Sequence, residues 1–153
     1  MRIEDRLKEL DIVLPTPPAP VASYVPHVVS GNLVYISGQI TLAADGLKYV
    51  GTVGKELSLE DGNAAAKLCA VNVIAQAKAA CGGDLDRVKR VVKVTVFVNA
   101  VPGFAQHPEV ANGASDLFVA VFGEAGKHAR AAVGAGSLPR NVATEVEAVI
   151  EIA

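Results

Sequence analysis

Between Val88 and Val98 apolar and mixed positions alternate with a period of two: Val92, Val94, Val96 and Val98 fall on one side, Val91, Lys93, Thr95 and Phe97 on the other. Successive side chains of an extended chain point to opposite faces, so this pattern predicts a strand with one fully apolar face. Thr144 to Ile152 alternates in the same way, with Glu145, Glu147 and Glu151 on one face and Val146, Ala148, Ile150 and Ile152 on the other. Shorter β-branched, aromatic or small apolar runs, Val28 to Val29, Leu33 to Ser37 and Ala129 to Ala135, predict further strands. Ser30-Gly31-Asn32 between the first two has the composition of a hairpin turn. After the turn Ala44-Asp45-Gly46, the residues Lys48 to Val50 are expected to form one more short strand.

Spacings of three and four mark the helices. Ser58 and Asp61 carry the capping signature in which a hydroxyl and a carboxylate three residues on satisfy free amides at a helix start. Ala64, Ala65, Leu68, Val71, Ala75 and Lys78 then recur at helical intervals until Gly82-Gly83, and this stripe is expected to lie flat on a sheet. A second long helix is predicted with Pro108 in its first turn, Val110, Ala114, Leu117, Phe118 and Val121 as its apolar side, and Gly123 as its stop. Ile3, Leu7 and Leu10 read as a short amphipathic helix, followed by Pro15, Pro17, Pro18 and Pro20, which force an extended connector. The chain therefore divides into an N-terminal helix and proline-rich connector over residues 1–19 and one compact domain over residues 20–153. Strands, helix, strand, helix, strands is an α+β order, with two helices on one face of one sheet. The other face carries mixed residues and is expected to be covered by another subunit, because large apolar patches are uncommon on monomers.

Composition narrows the function. The chain has 153 residues, enough for one core, and is 51% hydrophobic, with no Trp, three Tyr and four Phe, so its packing rests on aliphatic layers. The net charge of −2, with no basic run beyond Arg87, Lys89 and Arg90, argues against a nucleic-acid binder. Apolar stretches fall far short of the roughly 18 to 20 residues that span a bilayer, and Met1-Arg-Ile-Glu-Asp lacks the build of a signal peptide, so a cytoplasmic location is expected. Cys69 and Cys81 match neither a redox pair nor a zinc knuckle and read as packing residues. His27, His107 and His128 are isolated from ligand-spaced partners, so no metal is expected. Nucleotide-loop and nucleophile-elbow motifs are absent, and no covalent nucleophile stands out.

What remains is a cation set into an apolar strand, His128-Ala129-Arg130-Ala131-Ala132-Val133. A guanidinium presents a planar fork of donors that matches a carboxylate, so Arg130 points either to a carboxylate ligand or to an internal ion pair with a glutamate of the last strand. Those glutamates could equally form a solvated edge.

Four stretches, in order, resemble the reactive intermediate deaminase (Rid, YjgF-like) family, also labelled L-PSP endoribonuclease. They are Tyr24 followed by Ser30-Gly-Asn-Leu-Val-Tyr-Ile-Ser-Gly-Gln39, then Val91 to Val98, then Asn112, and finally His128 to Val133 through Leu138-Pro139 to Glu145-Val-Glu147. The resemblance runs from about Pro20 to the C-terminus. It implies a chorismate-mutase-like fold, a homotrimer and ligand clefts between neighbouring subunits. The activity it implies is cofactor-independent hydrolysis of a 2-enamine or 2-imine acid to a 2-keto acid and ammonia. In that scheme Arg130 grips the substrate carboxylate, Glu145 positions water near the reacting carbon, and Tyr24, Ser37 and Asn112 line or support the cleft.

This chain departs from the family at several points. Ala132 stands where the family often has Cys, and His128 where it has Pro, so a thiol-dependent activity is not expected and the pocket rim differs. The segment between Gln39 and the first long helix is longer than in compact members, and the N-terminal helix lies beyond their usual extent. A deaminase is the first reading. A non-catalytic module that binds or senses a small carboxylic or keto acid through the same arginine is the second, and a ribonuclease or translation inhibitor the third.

Overall fold

The structure, a computed structural model, describes residues 1–19 and 22–153. Pro20, where the compact domain is expected to begin, lies outside the described residues. A five-stranded sheet of order β1-β2-β7-β5-β6 is built from β1 (His27–Ser30), β2 (Leu33–Gln39), β5 (Val88–Asn99), β6 (Ala129–Ala135) and β7 (Thr144–Ile152). All neighbours are antiparallel except β5 and β6. That parallel pair needs a crossover, and helix α3 (His107–Phe122) supplies it. Helices α2 (Leu59–Ala80) and α3 cover one face of the sheet, which makes the fold mixed α+β.

The helix boundaries follow the local chemistry. Ser58 Oγ accepts from the Asp61 amide at 3.1 Å while the Asp61 carboxylate accepts from the Ser58 amide at 3.0 Å, the reciprocal capping box. Pro108 sits in the first turn of α3, and Gly123 ends it with φ 63°, a left-handed conformation that costs glycine little. Helices α2 and α3 approach closely at Gly113, where a Cβ would run into the backbone of Asn63.

Between helices and sheet lies an aliphatic core, with Val34, Val94, Val96, Val146 and Ile150 from the strands meeting Ala66, Cys69, Val73, Ile74 and Phe118 from the helices. Both cysteines are buried and free. Helix α1 (Ile3–Glu9) adds Leu7, only 2% exposed, to this core, a burial that contributes about 2 kcal/mol. Its polar side is tied down by Glu4 to Lys78 at 2.9 Å and by Arg6 Nη1 donating to Ala120 O at 3.2 Å. Among the described residues no helix is long and apolar enough to cross a membrane.

Three details differ from the periodicity. The alternation of β5 breaks at a bulge, where the register against β7 slips between Val91 and Lys93, so Val91 is buried and Val92 exposed. Residues 48–50 do not form a strand; the short pair is β3 (Leu42–Ala43) with β4 (Gly46–Leu47), closed by the Asp45-Gly46 turn. Tyr49 has φ 49°, which interrupts extension, and Val50 makes only an isolated bridge to Val142. On α2 the buried side is Ala65, Ala66, Cys69, Ala70, Val73 and Ile74, while Ala64, Leu68 and Val71 are only partly covered. The buried side thus combines small residues with Val73 and Ile74, and is turned from the stripe that the spacing predicts.

Candidate functional site

Arg130 is the second residue of β6, an edge strand, and pairs in parallel register with Val94, whose side chain is in the core. Paired residues point to the same side of a sheet, so Arg130 projects towards the helices. There Nη1 donates to Asn112 Oδ1 at 2.8 Å and to Ser115 Oγ at 3.1 Å. Asn112 and Ser115 stand one turn apart on α3 and both acceptors are neutral. Among the described residues Arg130 forms no ion pair, and its Nε and Nη2 have no protein partner. The internal salt bridge with the last strand is therefore not formed. Both Nη1 hydrogens are engaged, which leaves the Nε–Nη2 edge, the side of a guanidinium that accepts a carboxylate with two parallel bonds.

Glu145 lies on β7 between buried Thr144 and Val146 and opposite Phe97 of β5, so its side chain projects to the face away from the helices. The carboxylate rests against Gly38 of β2, in space that a Cβ at residue 38 would occupy. Burial pushes the Glu145 pKa above the ordinary carboxylate range, and the nearby Glu147 charge pushes it the same way. Beside it, Ser37 Oγ donates to Pro26 O at 3.0 Å and fastens the segment that carries Tyr24 to the end of β2. Tyr24, 62% exposed, borders a cavity of about 490 Å³ whose walls include Gly38, Gln39, Gln76 and the proline-rich connector. Ser37 borders a second hollow, of about 400 Å³, on the open face with Tyr35, Lys93, Thr95 and Glu147.

Of the five residues singled out from the sequence, Asn112 meets Arg130 on the helix side, Glu145 and Ser37 lie on the open face, and Tyr24 borders the cavity that Gln76 of α2 also walls. One chain does not bring Arg130 and Glu145 together. Ser115, which the sequence reading passed over, is a second partner of Arg130; its position three residues after Asn112 on the same helix was the available signal. No group of three or more His, Cys, Asp or Glu among the described residues is gathered as a metal ion would require.

A mixed five-stranded sheet of this order, with two long helices on one face, is the YjgF/chorismate-mutase-like α+β fold. The family model described as "YjgF/chorismate mutase-like, putative endoribonuclease" matches residues 4–152, and the chain belongs to this family. It is 48% identical to Protein TCP17 of Trypanosoma cruzi over 99% of this chain and 94% of that one. The crystal structure of Atu1372 from Agrobacterium tumefaciens, a protein of unknown function, superposes with a TM-score of 0.92 at 48% identity, covering 99% of this chain and 94% of that one. A 2-iminobutanoate/2-iminopropanoate deaminase of Dermatophagoides farinae is 28% identical over 92% of this chain and 94% of its own.

Proposed function

We propose that the protein hydrolyses small 2-imine or 2-enamine carboxylic acids to 2-keto acids and ammonia, in clefts formed where copies of the chain meet in a homotrimer. The observation that carries this reading is the state of Arg130: an exposed guanidinium with two hydrogens fixed by neutral acceptors and, among the described residues, no acidic partner and a free bidentate edge. A cation held this way is prepared for an external carboxylate. Kinship with an iminobutanoate/iminopropanoate deaminase supports the reaction class.

In the proposed cycle the substrate carboxylate docks on the Nε–Nη2 edge of Arg130. An enamine first takes a proton at C3 and becomes the iminium, which gives the imine when nitrogen loses a proton. Glu145 from a neighbouring copy orients a water and accepts one of its protons as the oxygen bonds to C2, while the C=N π pair moves to nitrogen and is protonated. In the resulting carbinolamine the nitrogen takes a further proton, the C–N bond breaks as ammonia leaves, and the hydroxyl gives up its proton as the oxygen becomes the keto group. The imine carbon is already electrophilic, so orientation and one positioned base supply most of what the step needs. Burial and the Glu147 charge raise the Glu145 pKa, which makes its carboxylate a stronger base towards that proton than an ordinary one.

Ammonia and keto-acid release from imino acids generated in place by an amino-acid oxidase tests this. Wild type should accelerate release, and Arg130→Ala should abolish the acceleration while the variant stays folded and assembled. No acceleration by a folded wild-type oligomer refutes the enzyme reading. A non-catalytic carboxylate-binding role is then the second reading, favoured by the completeness of the Arg130, Asn112 and Ser115 anchor on a single chain.

A further inference from the structure

We infer that Ser115 and His128 form a positioning relay that holds Arg130 ready for its ligand; the inference rests on the reading of Arg130 as a carboxylate anchor. The polarity of the chain of bonds follows from what each atom can do. Gly126 O can only accept, so the bond of 2.6 Å to His128 Nδ1 requires the proton on Nδ1. In neutral imidazole Nε2 is then an acceptor, and Ser115 Oγ, 2.9 Å away, donates its one hydrogen there. With that hydrogen engaged, Ser115 turns its lone pairs to Arg130 Nη1 at 3.1 Å. The sequence runs from Arg130 to Ser115 to His128 to the backbone of Gly126, every hydrogen assigned.

The far end of this relay is rigid. The His128 ring meets Phe118 edge to face, with centroids 5.7 Å apart and planes at 82°. Gly126 lies so close to the Phe118 backbone that any larger residue would collide with it. Phe118 itself is fully buried in the core. A long, exposed side chain on an edge strand is thereby tied to the interior, and its orientation is set before a ligand arrives, which favours binding. Asn112 fixes the second Nη1 hydrogen, but it is an exposed acceptor with no further bond behind it among the described residues. Ser115 and His128 are positioning residues: they act on the ligand through Arg130.

The test is calorimetric affinity for pyruvate, as a minimal 2-keto acid, together with KM and kcat for imino acids, on the full chain. Ser115→Ala and His128→Leu should each raise Kd and KM roughly fivefold, the worth of one hydrogen bond, with kcat changed less than about twofold. The double variant should be no worse than either single one, because both break the same chain of bonds. His128→Gln, whose side-chain oxygen can accept from Ser115, should restore binding to within about twofold. Unchanged affinity in Ser115→Ala, additive losses in the double variant or failure of the glutamine to rescue would overturn the relay. Pyruvate affinity that also survives Arg130→Ala would instead overturn the anchor on which it rests. Should Ser115→Ala not fold, the contrast between His128→Leu and His128→Gln decides.

Discussion

Arg130 and Glu145 stand back to back: the arginine projects from β6 towards the helices, the glutamate from β7 to the opposite face, and β5 runs between their strands. A single chain holds both halves of the proposed chemistry but cannot apply them to one molecule. The open face also carries exposed Val28, Tyr35 and Val133, apolar area of the kind that a neighbouring copy covers.

This arrangement predicts complementation. Arg130→Ala and Glu145→Gln should each be inactive alone, yet oligomers reassembled from an equal mixture should recover about a quarter of wild-type turnover, because that share of clefts pairs an intact arginine with an intact glutamate. Turnover of the reassembled mixture measures it; no recovery would place both residues in one chain's site.

Glu145→Gln should lose turnover without losing stability. The folded-state pKa of Glu145 is raised, so ionising it costs folding free energy. That cost is absent below the unfolded carboxylate value and complete above the folded one, so wild-type stability declines as pH rises between them. Removing the charge should leave the melting temperature at pH 7 equal or higher, and a lower value in a thermal scan would contradict the assignment. For the same reason the acidic limb of the wild-type rate profile should lie above the ordinary carboxylate range, with activity falling as pH drops through it.

Gly38→Ala should damage the glutamate half alone. The added methyl group claims the position of the Glu145 carboxylate and must displace it. A fall in kcat/KM of about tenfold or more is expected, with pyruvate affinity at Arg130 kept within about twofold. Equal losses in both would show that the halves are not separable.

Neither cysteine should react with alkylating reagents in the folded protein. Cys69 is fully buried, its pKa pushed up to about 12 by desolvation, and its thiol lies 3.3 Å from Thr144 Oγ1. Desolvation also raises Cys81, which is 2% exposed. Mass spectrometry after iodoacetamide treatment should find both unmodified and activity intact; rapid labelling would reveal an opening of the core.

Much of the architecture could be read from residue order because local signals agreed with tertiary demands. Pro108 and Gly123 bracket α3, Ser58 and Asp61 start α2, and the alternation of Glu145, Glu147 and Glu151 with buried neighbours survives intact in β7. The bulge at Val91 and Val92 was not legible, since two adjacent valines look alike to any periodicity and only pairing with β7 decides which turns inward. Helix α2 is apolar around much of its circumference, so spacing alone does not pick out its buried side. Arg130 and Asn112 could be singled out, but Ser115 and His128 could not be joined to them. Their meeting depends on how α3 packs over β6, a distance in space that residue order does not encode.

Under the proposed reaction, the back-to-back placement of Arg130 and Glu145 makes catalysis a matter of mass action. A chain diluted away from its neighbours carries the Arg130 anchor but has no complete cleft, so the rate per molecule should rise with the abundance of the protein itself. Scarcity alone would silence it, with no inhibitor and no modification involved.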